Sequence, residues 1–148
     1  MTADSYPALE QVLGTLVRTA RANLRGTAAQ LGEDMDPASY TLLGYLYKNP
    51  DVRLSDVADA QCVGKPTISR QIARLEKMGL VERATDPADN RGQLVRLTAS
   101  ASEQMHAIKE QQLGRLREAL ASWPEGDVAR LTELLGRFVS DFLSATHD

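Results

Sequence analysis

Residues 65–98 read KPTISRQIARLEKMGLVERATDPADNRGQLVRLT, and this stretch decides the fold. In its first half, Ile68, Ile72 and Leu75 recur at spacings of four and three residues. Because an α-helix turns by about 100° per residue, these three side chains share one face. The spacing therefore predicts a helix over residues 65–78 that buries this face and exposes the opposite one.

The second half of the stretch changes from a helical period to a strand pattern. Gly79 supplies a C-terminal stop for the helix, and the short runs 80–83 and 94–97 carry apolar residues between charged ones. A polar segment with an Asp-Pro and an Arg-Gly pair separates the two runs. This arrangement predicts a β-hairpin with a long tip, and Thr98 is expected to start the helix that follows.

A shorter helix is predicted just ahead of this stretch. Arg53-Leu54 can supply only a very short strand, and Ser55 is expected to cap the helix that follows. That helix runs through about Cys62, and Gly64 then breaks the chain. A short helix, a tight turn, a second helix and a hairpin together form a winged helix-turn-helix, whose second helix enters the major groove of DNA.

Helices are also predicted on both sides of this lobe. Asp36 is placed to cap a helix that ends at Asn49, and an amphipathic first helix ends near Gly32. The apolar stripe of the last helix, from Val128 to Phe142, and that of the first, from Leu9 to Leu24, together exceed what the small lobe could cover, which predicts a two-fold dimer. The fold class is therefore mainly α (α+β), with a two-stranded β wing and N- and C-terminal dimerisation helices. The predicted boundaries are a single domain over 1–148, a winged helix-turn-helix lobe over 36–98, and a helical dimerisation region over 5–33 and 99–145.

Composition excludes several classes of protein. The 148 residues are 43% hydrophobic and 25% charged, as in ordinary globular chains. No apolar run is long enough to span a membrane and the N-terminus has no secretory pattern, so we expect a cytoplasmic protein without a membrane partner. With one cysteine, two histidines and no nucleophile beside a base, we expect no metal site, no cofactor and no catalytic residues, and hence no enzyme.

The net charge of −3 hides a local basic excess. Residues 53–97 hold eight basic and six acidic side chains, whereas the rest of the chain holds nine basic and fourteen acidic ones. A basic stripe on an acidic body is typical of a protein that binds double-stranded DNA at a defined site without coating it.

The exposed face of the helix over 65–78 supplies the candidate DNA contacts. Arg70 is the strongest candidate for reading a base, because bidentate contact between arginine and guanine is the commonest specific pairing. Lys65, Arg74 and Lys77 are expected to bind phosphate. Since the first turns of a recognition helix lie closest to the base edges, the other base-reading candidates are Pro66, Thr67, Ser69 and Gln71.

These residues resemble the MarR family of bacterial transcriptional regulators. The run DNRGQLVRLT over 89–98 matches that family's wing signature, D-x-R-x-x-x-V-x-L-T, at every fixed position, and 65–81 is similar to its recognition helix. The resemblance covers essentially the whole chain, although Gly64 stands where many members place a serine as a helix cap. It implies a homodimer in which Arg91 enters the minor groove and Asp89 orients it. The predicted DNA-binding set is then Arg53, Ser55, Lys65, Pro66, Thr67, Ser69, Arg70, Gln71, Arg74, Lys77, Asp89 and Arg91.

The resemblance also implies a small-molecule effector. Many members bind phenolic or other apolar, often anionic compounds between the dimer helices and the DNA-binding lobe. Tyrosines with cationic neighbours would suit a small aromatic or anionic effector, and the residues in the matching region are Arg18, Arg21, Tyr40, Tyr45, Tyr47 and His106. We therefore expect a homodimeric repressor that binds a pseudopalindromic operator and is released by such an effector. Two alternatives remain open: a protein-interaction adaptor that uses the winged helix, and a thiol-based redox-sensing regulator that acts through Cys62.

Overall fold

The computed structural model describes residues 4–145, which form six helices and one three-stranded sheet. The mainly α winged helix-turn-helix architecture predicted from the sequence is confirmed. In chain order the elements are α1 (Tyr6–Ala29), α2 (Pro37–Lys48), β1 (Val52–Arg53), α3 (Leu54–Gln61), α4 (Lys65–Lys77), β2 (Val81–Asp86), β3 (Asp89–Leu97), α5 (Ala99–Ala119) and α6 (Glu125–Ala145).

Two predicted helix starts are confirmed by their caps. The Oδ1 atom of Asp36 accepts a hydrogen bond from the Ser39 amide at 2.7 Å, so one free N–H at the start of α2 is satisfied. Thr98 does the same for α5, because its Oγ1 atom accepts from the Ala101 amide at 3.2 Å. The same hydroxyl donates to the Gly79 carbonyl at 2.8 Å, which ties the end of the wing to its beginning.

The recognition helix α4 packs as its period predicts. Ile68, Ile72 and Leu75 are fully buried in the hydrophobic core, which also contains residues of α2 and β3. The helix ends at Lys77, and Gly79 adopts a left-handed φ of 73° that glycine accepts without strain. The buried face therefore fixes which side of α4 remains available to a partner.

The strands of the wing extend further than predicted, and the turn between them is shorter than the expected long tip. Strands β2 and β3 pair antiparallel as far as Thr85 and Gln93, and one further pair, Asp86 with Asp89, leaves Pro87-Ala88 at the turn. The polar segment enters the strands because exposed ribbon residues can pair without contributing apolar side chains. On its other edge β3 pairs with β1, which gives the strand order β1-β3-β2.

The start of α3 also differs from the prediction. The helix begins at Leu54 with Arg53 at the N-cap and no side-chain cap, so Ser55 does not cap it. Arg53 is extended and pairs with Leu94 in the sheet, and the chain enters α3 directly from that strand.

The chain divides into two compact units, one that ends at Ile108 and one that begins at Lys109. The first unit holds the core, to which α2, α4, β3 and the beginning of α5 contribute. The second holds the end of α5 and all of α6, whose side chains are mostly exposed. The single domain over 1–148 and its sub-boundaries remain predictions, and residues 1–3 and 146–148 lie outside the described range.

Candidate nucleic-acid interface

The beginning of α4 presents polar and basic side chains to solvent. Gly64 starts the helix through its carbonyl, which accepts from the amides of Thr67 and Ile68 at 3.1 and 3.2 Å. Lys65, Pro66 and Arg70 are exposed, whereas the predicted base readers Thr67, Ser69 and Gln71 are half-buried. The side chains closest to the helix start are therefore free to approach a base edge.

Arg74 differs from the other basic residues of α4. Its guanidinium donates to the Oδ2 atom of Asp36 at 3.4 Å and to the backbone carbonyl of Asp34. Lys77, one turn further on, is exposed. Arg74 therefore braces α4 against the segment before α2, and any phosphate would compete with that contact.

The tip of the wing is built around an irregularity in β3. Asp86 pairs with Asp89, but the next pair joins Thr85 to Gln93, so residues 90–92 form a bulge. The Oδ1 atom of Asp89 accepts a hydrogen bond from the Arg91 amide at 3.0 Å. This bond orders the backbone that carries Arg91, whose side chain is exposed.

Arg53, a predicted DNA contact, forms an ion pair inside the wing. Its Nη2 and Nε atoms lie 2.9 and 3.0 Å from the Oδ2 atom of Asp86. The carboxylate is 7% exposed and the guanidinium is half exposed. Asp86 is a residue that sequence reasoning missed, since the Asp-Pro pair only signalled a turn.

A polar cavity of about 290 Å³ brings several predicted residues together. Its walls come from the start of α3, the start of α4 and the tip of the wing. Lys65 and Asp89 both line it, and the full lining is Arg53, Leu54, Ser55, Lys65, Asp89, Gly92 and Gln93. The first turn of the recognition helix and the wing tip therefore border one common opening.

A second ion pair joins α4 to the wing and was also not predicted. The Nε atom of Arg83 on β2 donates to the Oε1 atom of Glu76 at 2.7 Å, and its Nη1 atom donates to the Gln93 side chain at 3.2 Å. Both partners of the ion pair are partly buried. The only signal in the sequence was a glutamate and an arginine on opposite sides of the Gly79 turn.

The candidate effector residues occupy different environments. The Tyr47 hydroxyl and the Nδ1 atom of His106 lie 3.0 Å apart, so α2 and α5 meet there. Tyr40 is 4% exposed and belongs to the core, and Tyr45 is half-buried beside it. Arg18 donates to the Thr15 hydroxyl at 3.0 Å, and Arg21 on the same helix is exposed.

Cys62 is exposed at the C-cap of α3, with a left-handed φ of 54°. Within residues 4–145, no group of His, Cys, Asp or Glu is arranged to hold a metal ion. No helix in that range combines the length and the hydropathy that crossing a bilayer requires.

Comparison with known proteins identifies the family. The MarR family model matches residues 33–92. The uncharacterized HTH-type transcriptional regulator YxaD of Bacillus subtilis (strain 168) is 28% identical over 135 residues, which cover 91% of this chain and 93% of that protein. The transcriptional regulator HosA of Escherichia coli O111:H- is 31% identical over 90 residues, which cover 56% of this chain and 67% of HosA.

A solved structure shares the fold. The crystal structure of Streptococcus pneumoniae FabT in complex with DNA superimposes with a TM-score of 0.79 at 20% identity, and the match covers 94% of this chain and 97% of FabT. The named relatives are transcriptional regulators, in agreement with the expectation that this protein is not an enzyme. This chain belongs to the MarR family of transcriptional regulators.

Proposed function

We infer that this protein is a sequence-specific regulator that binds double-stranded DNA through α4 and the wing. The observation that carries the proposal is the cavity shared by the start of α4 and the wing tip, with Lys65 and Asp89 on its walls. Arg70 follows Lys65 on the same helix, Arg91 lies between Asp89 and Gly92 on the tip, and both arginines are exposed. This placement suits a helix in the major groove and an arginine in the adjacent minor groove. The DNA in the FabT structure supports the same use of a similar fold.

The local charge supports DNA over a protein partner for this face. Lys65, Arg70 and Lys77 are exposed along α4. Phosphate contacts from such residues release counterions, so affinity should fall steeply as salt concentration rises. An adaptor without an operator would have little need of these cations together with Arg91, which favours the DNA-binding proposal.

We also propose that the regulator works as a homodimer on a pseudopalindromic operator. Large apolar side chains are exposed on α1, among them Val12 and Leu16, and a longer series lies on α6. On α6 the rings of Phe138 and Phe142 lie 5.6 Å apart and none of the helix's residues is buried. A series of exposed apolar side chains along a helix is typical of an interface between subunits. The regions 5–33 and 99–145 are therefore proposed as the dimerisation region, and 36–98 as the DNA-binding lobe.

The regulatory sign and the effector complete the proposal. A dimer that occupies an operator at a promoter would act as a repressor, and a small aromatic or anionic effector would release it. Such a ligand can act only if it binds the released conformation more tightly than the DNA-bound one. Tyr47 and His106 are the candidate effector residues that the structure places in contact.

The proposal is tested by selecting duplexes from a randomised DNA library with the wild-type protein. A labelled selected duplex is then titrated by fluorescence anisotropy at several salt concentrations, with a shuffled duplex as the control. We expect a shared inverted repeat among the selected sequences and an affinity that falls with salt. Equal affinity for the selected and shuffled duplexes would contradict sequence-specific binding, and capture of no duplex at all would favour the adaptor alternative.

A further inference from the structure

Asp86 is a buried carboxylate whose two oxygens hold two different parts of the wing. The Oδ1 atom accepts from the Ala88 amide at 2.9 Å, which closes the turn between β2 and β3. The Oδ2 atom accepts a hydrogen bond from the Nε atom of Arg53 of β1 at 3.0 Å, and the Nη2 atom of the same guanidinium lies 2.9 Å from it. A charge-assisted contact of this kind is stronger than a neutral hydrogen bond.

The topology of the sheet gives this ion pair its effect. Strands β1 and β2 flank β3, so a bond from Arg53 to Asp86 spans the strand between them. It passes close to Gly92, where an added Cβ atom would lie 3.4 Å from the Cβ atom and 3.5 Å from the Oδ2 atom of Asp86. Gly92 is the last residue of the bulge that carries Arg91. Asp86 therefore lies close to the bulge at Gly92 and closes the turn beside it.

We propose that Asp86 is the positioning residue of the wing tip, and that Arg53 acts on DNA through Asp86 and not by binding phosphate itself. The inference rests on the proposed function, in which Arg91 enters the minor groove. Asp86 is too buried to touch DNA, so its influence must pass through the bulge. With the ion pair in place, the bulge is ordered before DNA arrives, and less conformational entropy is lost on binding.

The expected sign separates this role from simple electrostatics. Removing a negative charge near DNA should strengthen binding if charge alone matters. Asp86→Asn keeps the shape of the side chain but removes the charge that holds Arg53. We expect it to weaken binding, because Arg91 would then have to be ordered during association.

The experiment measures how far the effect of Arg91 on DNA affinity depends on Asp86 and on Arg53. A labelled duplex selected by the wild-type protein is titrated with Asp86→Asn, Arg53→Gln, Arg91→Ala and the two double variants that contain Arg91→Ala. Loss of a single charge-assisted contact corresponds to about a tenfold loss of affinity, so we expect that loss for Arg91→Ala alone. In the Asp86→Asn and Arg53→Gln backgrounds we expect Arg91→Ala to cost less than about twofold, since the ordered tip is already lost. Lys77→Ala, made in the wild type and in the Asp86→Asn and Arg53→Gln backgrounds, is the control and should cost the same factor in each.

The salt dependence tests the assignment of Arg53 separately. If Arg53 acts only through Asp86 and the wing tip, the Arg53→Gln, Arg91→Ala double variant should show the same slope of log affinity against log salt as Arg91→Ala alone. A slope lower by about one in the double variant than in Arg91→Ala would show that Arg53 binds phosphate and would overturn its assignment. Circular dichroism and thermal unfolding confirm that each variant is folded. If Asp86→Asn does not fold, Arg53→Gln still tests the coupling, because its side chain is half exposed and its loss leaves the Ala88 contact intact.

Failure of the inference can be distinguished from failure of the proposed function. A tenfold effect of Arg91→Ala that persists in both other backgrounds overturns the positioning role alone. An Arg91→Ala variant that binds as tightly as the wild type removes the wing contact from the proposed function, and the inference then falls with it.

Discussion

Arg74 of α4 donates to the Oδ2 atom of Asp36 at 3.4 Å, while the Oδ1 atom of the same carboxylate caps α2 through the Ser39 amide. One side chain therefore starts α2 and holds the recognition helix against it. Asp34 adds a second contact to Arg74 through its backbone carbonyl. Because one oxygen caps α2 and the other binds Arg74, substitutions can separate the capping of α2 from the contact with α4.

The first prediction concerns the stability that Asp36 supplies. Asp36→Ala removes both contacts and should lower the free energy of unfolding by about 1 kcal/mol, mainly through the lost cap. Asp36→Asn should cost less, because asparagine caps helices about as well as aspartate but has no charge for Arg74. Urea unfolding followed by circular dichroism measures both. Asp34→Ala is the matched control, since Asp34 uses its backbone carbonyl, and it should change stability by less than about 0.5 kcal/mol.

The second prediction concerns acid. Hydrogen bonding from Ser39, aided by the charge of Arg74, holds the pKa of Asp36 below its ordinary value despite the opposing effect of partial burial. A depressed pKa in the folded state stabilises the protein above the pKa of the unfolded chain, and this contribution is lost as the pH falls through the folded-state pKa. The stability difference between wild type and Asp36→Asn should therefore shrink as the pH is lowered through the range in which aspartates titrate. A difference that stays constant down to full protonation would show that the charge of Asp36 stabilises nothing.

The third prediction separates base reading from phosphate binding on α4. Arg70→Ala should cost about 1–3 kcal/mol of binding free energy and relax the preference at one base pair in each half-site. Lys77→Ala should weaken binding to all duplexes alike and reduce the salt slope by about one. Affinities over a library of single-base operator variants measure both effects. If both substitutions weakened every duplex evenly, Arg70 would bind phosphate and would not read a base.

Local pattern was sufficient for the features that depend on neighbouring residues. The spacing of Ile68, Ile72 and Leu75 identified the buried face of α4, and all three are fully buried. Asp36 and Thr98 cap the helices they were expected to start, because a cap bonds to an amide three residues away. Such contacts follow from the local sequence without knowledge of the fold.

The contacts that shape the candidate site depend instead on topology. Arg53 and Asp86 are 33 residues apart and meet only because β1 and β2 flank the same strand. Arg74 and Asp36, 38 residues apart, meet only after α4 has packed on the core. The short turn of the wing was missed for a related reason. The polar segment has no apolar alternation that would predict strands, and it is held by backbone pairing and by the Asp86 carboxylate. Ser55 was expected to cap α3 because the pattern could not show that β1 runs straight into that helix.

The fourth prediction tests the proposed dimer. Phe138 lies among the exposed apolar side chains of α6, 5.6 Å from the ring of Phe142. Phe138→Glu would place a charge in the proposed interface and should shift sedimentation at micromolar concentration from dimer to monomer. Ser140→Glu is the matched control, because two residues of helix place it about 200° round α6 from Phe138. A wild-type protein that sediments as a monomer without DNA would overturn the dimer.

The last prediction tests the wing. Asp89 accepts a hydrogen bond from the backbone amide of Arg91 at 3.0 Å, so this contact orders the loop through its backbone and leaves the guanidinium out. Arg91→Ala should lower affinity most on operators with A·T-rich flanks and should reduce the salt slope, because one fewer cation meets the DNA. Asp89→Ala should also weaken binding, although it removes a negative charge, since a loop without this acceptor is unordered and loses more entropy on association. Asp89→Asn is its control, because the Oδ1 atom of asparagine can still accept from the Arg91 amide. Titrations of a labelled operator at several salt concentrations compare these variants with wild type. Tighter binding by Asp89→Ala would show a solvated acid that only repels DNA, and an unchanged salt slope for Arg91→Ala would remove the wing from the DNA contacts.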